Sequence, residues 1–335
     1  MSTHLNPWTL QRFSKILRSR GLIDWHLKHV RTRKAELRFE STCPRFRALV
    51  AEFLREQSAR NLAKDTVNNL RCGLVDFAAY LRGRSLRFDA LDYHHALSWM
   101  EDVRKGGLAP VGMNRKLHIV RRFYRWLVAR KLIPDSPFET FQPLRVSRKL
   151  PKILSETEVA RLIEGGGSAR NRAILEFLYA TGCRAGELHR TDLGAVSFEA
   201  RTARTIAKGG HEQLLYLNDS ALGAIRRYLP ERAALLRRRP GPPESALFLK
   251  RDGRRMTSYS VRNLVVEAGR RAKLGRTVNP HMLRHSFATH LLDRGADLFS
   301  IMQFLGHRNI QSTVRYLQVA TAKLSEVHRK YHPRS

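Results

Sequence analysis

Apolar residues return at helical spacing along most of this chain, and the places where that rhythm fails divide it into parts. Leu49, Val50, Phe53 and Leu54 follow Phe46 on one stripe, Leu70, Leu74, Phe77 and Leu81 form another, and each stripe predicts a helix. After an interruption at Leu108–Arg115, a third helix is expected from about Asn114 to Lys131, burying Leu117, Val120, Tyr124, Leu127 and Val128. The stretch IPDSPFETFQPLRVSRKLPKIL then has no amphipathic period; its prolines and basic cluster read as an exposed tether. Just beyond it, Ser155 and Glu158 stand at capping-box spacing, so a new helix and a new domain begin there. The expected organisation is an N-terminal extension over 1–44, a helical domain over 45–140, a linker over 141–152 and a second domain over 153–335.

In the second domain Ile174, Phe177 and Leu178 mark a helix that should stop at Gly182, a residue able to take the left-handed conformation. The rhythm then changes period. Thr202–Ala207 and Gln213–Leu217 are short β-prone runs flanking Lys208-Gly209-Gly210-His211, which reads as a hairpin with its tip at the glycines. Helices resume at about Ala221–Leu236, Tyr259–Lys273, Pro280–Asp293, Leu298–Leu305 and from Ile310 onward. The expected fold class is mainly α with a small antiparallel β-sheet.

Composition narrows the partner. Lys and Arg number 62 against 29 Asp and Glu, a formal net charge of +33 spread along the chain, and the simplest partner for such a molecule is a polyanion. On the third helix Arg115, Arg122 and Arg125, with Arg121 alongside, read equally well as a solvated face or as phosphate contacts. No apolar run is long enough to span a bilayer and the N-terminus lacks the order of a secretory signal, so a soluble cytoplasmic protein, associated with the nucleoid, is expected. Cys43, Cys72 and Cys183 form no C-x-x-C pair and are expected to be reduced, mostly buried thiols rather than zinc ligands. The segment Arg237–Pro243 reads as an exposed connecting loop.

One segment carries candidate chemistry. Asn279-Pro280 is a strong helix start, and His281 and Arg284 then share a face, with Leu283, Phe287 and Leu291 as the buried stripe. His-x-x-Arg alone is weak, because His118 and Arg121 match it too. At His281, however, the match is followed by Leu305-Gly306-His307 and then by Tyr316. His281 and His285 lie four apart, but no H-E-x-x-H or third ligand accompanies them, which disfavours a metal hydrolase.

The stretch HMLRHSFATHLLDRGADLFSIMQFLGHRNIQSTVRYLQVA resembles the C-terminal signature of tyrosine recombinases, particularly the Xer-like and integrase branches. Upstream, Ala180–Leu188 resembles the first arginine box of that family, which implies a catalytic Arg184 supported by Glu187. Ile206–Glu212 resembles the hairpin that carries the catalytic lysine, which implies Lys208. The likeness spans roughly residues 46 to 330 and is strongest from 153 onward.

The residue types suit that reaction on physical grounds. Attack on a phosphodiester builds a doubly negative transition state, and the guanidiniums of Arg184 and Arg284 offer fixed forks of donors to its oxygens. A phenol is mostly protonated at neutral pH, so Tyr316 needs cationic surroundings and a proton acceptor; His281 is the candidate base and His307 a further donor to phosphate. The departing 5′ oxygen needs a proton, the role implied for Lys208.

The hairpin departs from the family pattern after its glycines, where His211 and Gln213 offer fewer contacts to phosphate than a further basic residue. The first arginine box departs too, with Cys183, Ala185 and Gly186 in place of bulkier or hydroxylic residues.

The resemblance implies a site-specific recombinase acting through a 3′-phosphotyrosyl bond on Tyr316, with no metal or other cofactor. Its partners would be double-stranded DNA bearing a specific recombination site and further copies of itself, a tetramer on two duplexes. Leu324, Val327 and Tyr331 could supply a contact to a neighbouring copy. The biological task stays open between chromosome or plasmid dimer resolution, integration and transposition, with the long N-terminal extension leaning toward a mobile element. The alternatives are a relaxing enzyme resembling type IB topoisomerases and a non-catalytic DNA-binding protein of the same fold.

Overall fold

The computed structural model describes residues 43–60, 62, 64–146, 152–207, 209–238, 240–242 and 244–306. Lys208, His307, Tyr316, the helix expected from Ile310, the docking residues Leu324, Val327 and Tyr331, and nearly all of the N-terminal extension lie outside the described residues. The chain divides into two compact units between positions 148 and 149.

In the first unit, helices α1 (Pro44–Ala59), α2 (Lys64–Gly83), α3 (Tyr93–Lys105) and α4 (Pro110–Ala129) close around an aromatic core. Phe46, Phe53 and Phe77 are essentially inaccessible, at positions the apolar stripes predict; Phe123 is equally enclosed although no stripe named it, and Val128, expected to be buried, is only partly so. Their rings meet edge to face, as at Phe77–Trp99, with centroids 5.2 Å apart and planes at 83°, an arrangement that aligns ring edge with ring face. Tyr124 is buried to its hydroxyl, which donates to the Phe88 carbonyl at 2.7 Å.

Two expectations for this unit change. Helix α4 begins at Pro110, four residues before the expected start, because a proline in the first helical turn lacks only an N–H that would have had no partner there. Helix α3 is not foreshadowed by the apolar stripes considered above. It starts at Asp92, whose carboxylate accepts from the His95 N–H at 2.8 Å while the His95 ring nitrogen faces the Asp92 N–H, and it buries Ala96, Trp99 and Met100.

The expected tether is also partly folded. Ile133 and Phe138 are buried, and Asn114 exchanges two 2.8 Å hydrogen bonds with the backbone of Leu144. Side-chain amides here do for an aperiodic segment what a helix does internally: they satisfy its backbone groups.

In the second unit, α5 (Glu156–Glu164) starts on the expected capping box, Ser155 accepting from the Glu158 N–H at 3.1 Å and Glu158 accepting from the Ser155 N–H at 2.9 Å. Helix α6 (Ala169–Thr181) follows, then the single-turn-and-a-half α7 (Ala185–Arg190). Strands β1 (Val196–Ser197), β2 (Thr202–Ile206) and β3 (Glu212–Tyr216) form an antiparallel sheet in the order β1-β2-β3. The register pairs Thr205 with Gln213, and the tip of the hairpin turns on Gly209 and Gly210, both at positive φ. Helices α8 (Asp219–Arg237), α9 (Ser258–Arg271), α10 (Pro280–Asp293) and α11 (Leu298–Leu305) complete the described unit. Helix α6 lies against both α8 and α10, and Ile174, Leu175, Phe177 and Leu178 are fully inaccessible. Among the described residues no helix is long and apolar enough to cross a membrane.

The cysteines correct another expectation. Cys43 and Cys72 are exposed and free; Cys183 alone is buried, and that burial pushes its thiol up to about 12, which leaves it protonated and inert.

Helix α6 ends as expected at Gly182, in the left-handed region at φ 60° and ψ 14°. A Cβ there would overlap the ring of Phe287 on α10. The left-handed backbone costs a non-glycine residue about 1–2 kcal/mol, and overpacking adds about as much. Gly182→Ala is therefore expected to destabilise the protein by at least about 2 kcal/mol, read as a lower urea midpoint; an unchanged midpoint would show that neither the backbone nor the ring constrains this position.

Candidate active site

The residues of the first arginine box and of the His-x-x-Arg motif come together at the meeting point of three chain ends. Arg184 is the N-cap of α7, and Glu187 reaches back from the first turn of that helix to accept both the Arg184 backbone N–H and its guanidinium, each at 2.7 Å. Glu187 is completely buried, so its carboxylate must be paired. Its second partner is Arg284 on α10, whose guanidinium lies 3.8 Å from the other carboxylate oxygen. Two arginines distant in sequence thus share one acid.

Arg284 is itself only 3% exposed. Its remaining contacts account for that: one nitrogen donates to the Gly182 carbonyl at 2.8 Å, and another to the Leu305 carbonyl at 2.6 Å. These carbonyls belong to the ends of α6 and α11, both of which close on a left-handed glycine, Gly182 and Gly306. A helix C-terminus carries partial negative charge and unpaired carbonyls, so the cation neutralises two such ends along with the carboxylate. Arg184 is not buried in this way: 34% of its side chain remains exposed, which leaves it open to an incoming anion.

His281 sits in the first turn of α10, one turn from Arg284, and is exposed. Asn279 caps that helix, accepting from the Met282 N–H at 3.1 Å, with Pro280 in the first position, as expected. The imidazole pKa is held below its usual value, chiefly by loss of water around the ring, and further by the positive charges of Arg284 and Arg184, against a smaller opposite pull from Glu187. The ring is thus biased toward its neutral form, the form that accepts a proton.

The expected apolar stripe on α10 is revised. Leu283 is buried, but Phe287 and Leu291 are only partly so, and the fully enclosed positions include Arg284, Ser286, Ala288 and Thr289. The helix is surrounded on several sides, so a one-sided amphipathic reading does not apply.

The hairpin joins this centre through a pair that motif reading did not single out for structure. Thr205 on β2 donates to the Glu187 carbonyl at 2.7 Å, and Gln213, opposite it on β3, donates to the Phe304 carbonyl at 3.1 Å. Gln213, read from sequence as a poor phosphate contact, is turned inward instead. Its signal in the sequence is the period of two: Thr205 and Gln213 fall on the same sheet face as the buried Ala203 and Leu215.

The four arginines of α4 are not gathered into one free basic face. Arg121 donates to the Phe138 carbonyl at 2.9 Å and to the Phe141 carbonyl, holding the segment after the helix. Arg122 donates to Gln57 at 2.5 Å, and Arg125 is paired with Glu139. Arg115 is exposed. His118, in the second His-x-x-Arg match, is on this helix, and its Arg121 is engaged by backbone rather than by a buried acid.

Comparison with known proteins agrees with this geometry. Residues 150–323 match the phage integrase family, and residues 50–131 match the phage integrase N-terminal SAM-like domain. The tyrosine recombinase XerC of Myxococcus xanthus is 36% identical over 277 residues, covering 81% of this chain and 92% of that protein. The tyrosine recombinase XerD of Oceanobacillus iheyensis is 32% identical over 294 residues, covering 84% and 96%. Among solved structures, XerH bound to a palindromic difH substrate superposes with a TM-score of 0.63 at 22% identity, covering 81% of each chain. A lambda integrase dimer bound to a COC′ core site superposes with a TM-score of 0.63 at 14% identity, covering 80% of this chain and 94% of that one. The chain belongs to the phage integrase family of tyrosine site-specific recombinases.

The charges around His281 make a pH prediction. Because its pKa is lowered in the folded state, the stability contributed by the neutral ring is present above the ordinary value of 6.5 and is lost as pH falls through and below it. Glu187→Gln removes a neighbouring charge that favours the imidazolium and is expected to lower the pKa further, whereas Arg184→Gln is expected to raise it. NMR titration of the imidazole checks both directions; unchanged titration in both variants would show that the ring does not sense this charge cluster.

Proposed function

We propose that this protein cleaves and rejoins double-stranded DNA at a specific recombination site, with Tyr316 as the nucleophile. The observation that carries this reading is the pairing of Arg184 and Arg284 on the buried Glu187, beside a His281 biased toward its neutral form. Guanidiniums fixed before the reaction need no reorganisation as negative charge develops on the scissile phosphate. In our scheme His281 takes the phenolic proton as the oxygen of Tyr316 attacks phosphorus. The bond to the 5′ oxygen breaks, Lys208 protonates that oxygen, and a 3′-phosphotyrosyl bond remains. A 5′ hydroxyl from another strand reverses the step, so the phosphodiester bond energy is conserved and no nucleotide is consumed. His307 donates to the phosphate, and Glu187 orients both arginines.

Residues 45–140 serve as the core-binding domain, joined by a linker over 141–152 to the catalytic domain over 153–335. Arg115, exposed on α4, is our first candidate for a phosphate contact there. Arg122 and Arg125 would exchange their internal partners for phosphate, while Arg121 supports the segment after α4. We infer a tetramer on two duplexes, in the cytoplasm, with integration, transposition or the resolution of chromosome or plasmid dimers as the biological task.

A suicide duplex carrying the recombination site, from which a short cleaved segment diffuses away, should trap a covalent protein–DNA adduct. Tyr316→Phe should form none, and Arg184→Ala or Arg284→Ala should slow its formation by roughly 10²–10³-fold, the usual cost of removing one preorganised donor. An adduct formed by the Tyr316 variant would remove that residue from the mechanism. Relaxation of plasmids lacking the site by monomeric protein would favour a topoisomerase-like activity instead.

A further inference from the structure

The end of α11 closes on itself through the Gly306 N–H, which bonds to the Gln303 carbonyl at 3.0 Å, and is held from outside at the two residues before it: the Phe304 carbonyl accepts from Gln213 and the Leu305 carbonyl from Arg284. The next residue is His307. Gln213 comes from the hairpin whose tip bears Lys208, and its side chain lies against Gly306 so closely that a Cβ there would meet three atoms of its amide group at 2.6 Å. Tyr216 on the same strand meets the Phe304 ring edge-on, with centroids 5.4 Å apart.

The rung formed by Thr205 and Gln213 therefore touches both halves of the site, Glu187 through one strand and the end of α11 through the other. From that rung to the tip the hairpin is further tied, by Arg190 donating to the Ile206 carbonyl at 2.6 Å and by the Ala207 N–H bonding to the His211 carbonyl at 2.8 Å. The Gln213 amide is poorly explained by stability alone. Its Oε1 is buried with no hydrogen-bond partner among the described residues, and an unpaired buried acceptor costs more than one neutral hydrogen bond returns.

We propose that Gln213 is a positioning residue: it fastens the lysine hairpin to the end of α11, so that proton delivery to the leaving oxygen is held in alignment with the arginine centre. This rests on the role assigned above to Lys208. A misalignment of the order of an ångström at a proton donor is enough to slow a reaction by about 10²-fold.

The test is cleavage of two suicide duplexes by Gln213→Leu, one ordinary and one with sulfur in place of the bridging 5′ oxygen. A thiolate leaves without a proton, because thiols ionise near pH 8.5 and alcohols far above it. Gln213→Leu should cleave the ordinary duplex roughly 10–100-fold more slowly than the unaltered protein, cleave the sulfur duplex at nearly its rate, and show an unchanged or higher thermal midpoint. Equal slowing on both duplexes, or no slowing on either, overturns the proposal. Lys208→Ala is run alongside: if the sulfur duplex does not restore its cleavage, the assignment of Lys208 as the acid fails, whereas restoration for Lys208→Ala but not for Gln213→Leu defeats the Gln213 proposal alone. Should the leucine variant not fold, Gln213→Asn, which keeps the amide but shortens its reach, is put through the same two-duplex comparison with the same readings.

Discussion

The second unit is organised around a buried positive charge. Removing a guanidinium from water costs several kcal/mol unless its partners replace that water. For Arg284 the partners include the Glu187 carboxylate and the carbonyl ends of α6 and α11. The two carbonyls are buried chain-end acceptors, and the carboxylate, already bonded by Arg184, gains a second cation. The cation and the chain ends therefore satisfy one another, and three segments far apart in sequence are brought to one place. Both helices end in left-handed glycines, a common helix stop that glycine takes without the penalty a Cβ brings.

The same arrangement divides labour between the two arginines. Arg284 is enclosed and fixed, whereas Arg184, braced by the far oxygen of the same carboxylate, keeps part of its side chain at the surface. Preorganisation of this kind suits a reaction in which charge appears on a phosphate, because the donors are oriented before the charge develops. The hairpin is joined to the centre by hydroxyl and amide bonds rather than by apolar packing alone, which fixes its register: a one-residue slip would turn Thr205 and Gln213 to the other face.

Much of this was legible in the residues. Ser155 and Glu158, Asn279 and Pro280, and Gly182 are local signals whose meaning depends on the backbone within a turn, and each appears where the pattern places it. Local signals failed where tertiary surroundings took over. Pro110 opens α4 rather than interrupting it, and Phe287 and Leu291 are less enclosed than Ser286 and Thr289 because neighbours press on several sides of α10. The arginines of α4 were ambiguous in the sequence, since a cation looks the same whether it meets solvent, Glu139 or a backbone carbonyl.

The amino-acid sequence by itself determined the helical stripes, the caps, the period-two hairpin and the order of the motif residues, all of which follow from chain geometry over a few residues. Only the tertiary structure decided that Arg184 and Arg284 divide one carboxylate, that Arg284 closes two helix ends, and that Gln213 faces the end of α11 rather than solvent. Those facts depend on burial, and burial is a property of what the rest of the chain places around a residue: the cost of an unmet charge or carbonyl arises only once water has been excluded from it.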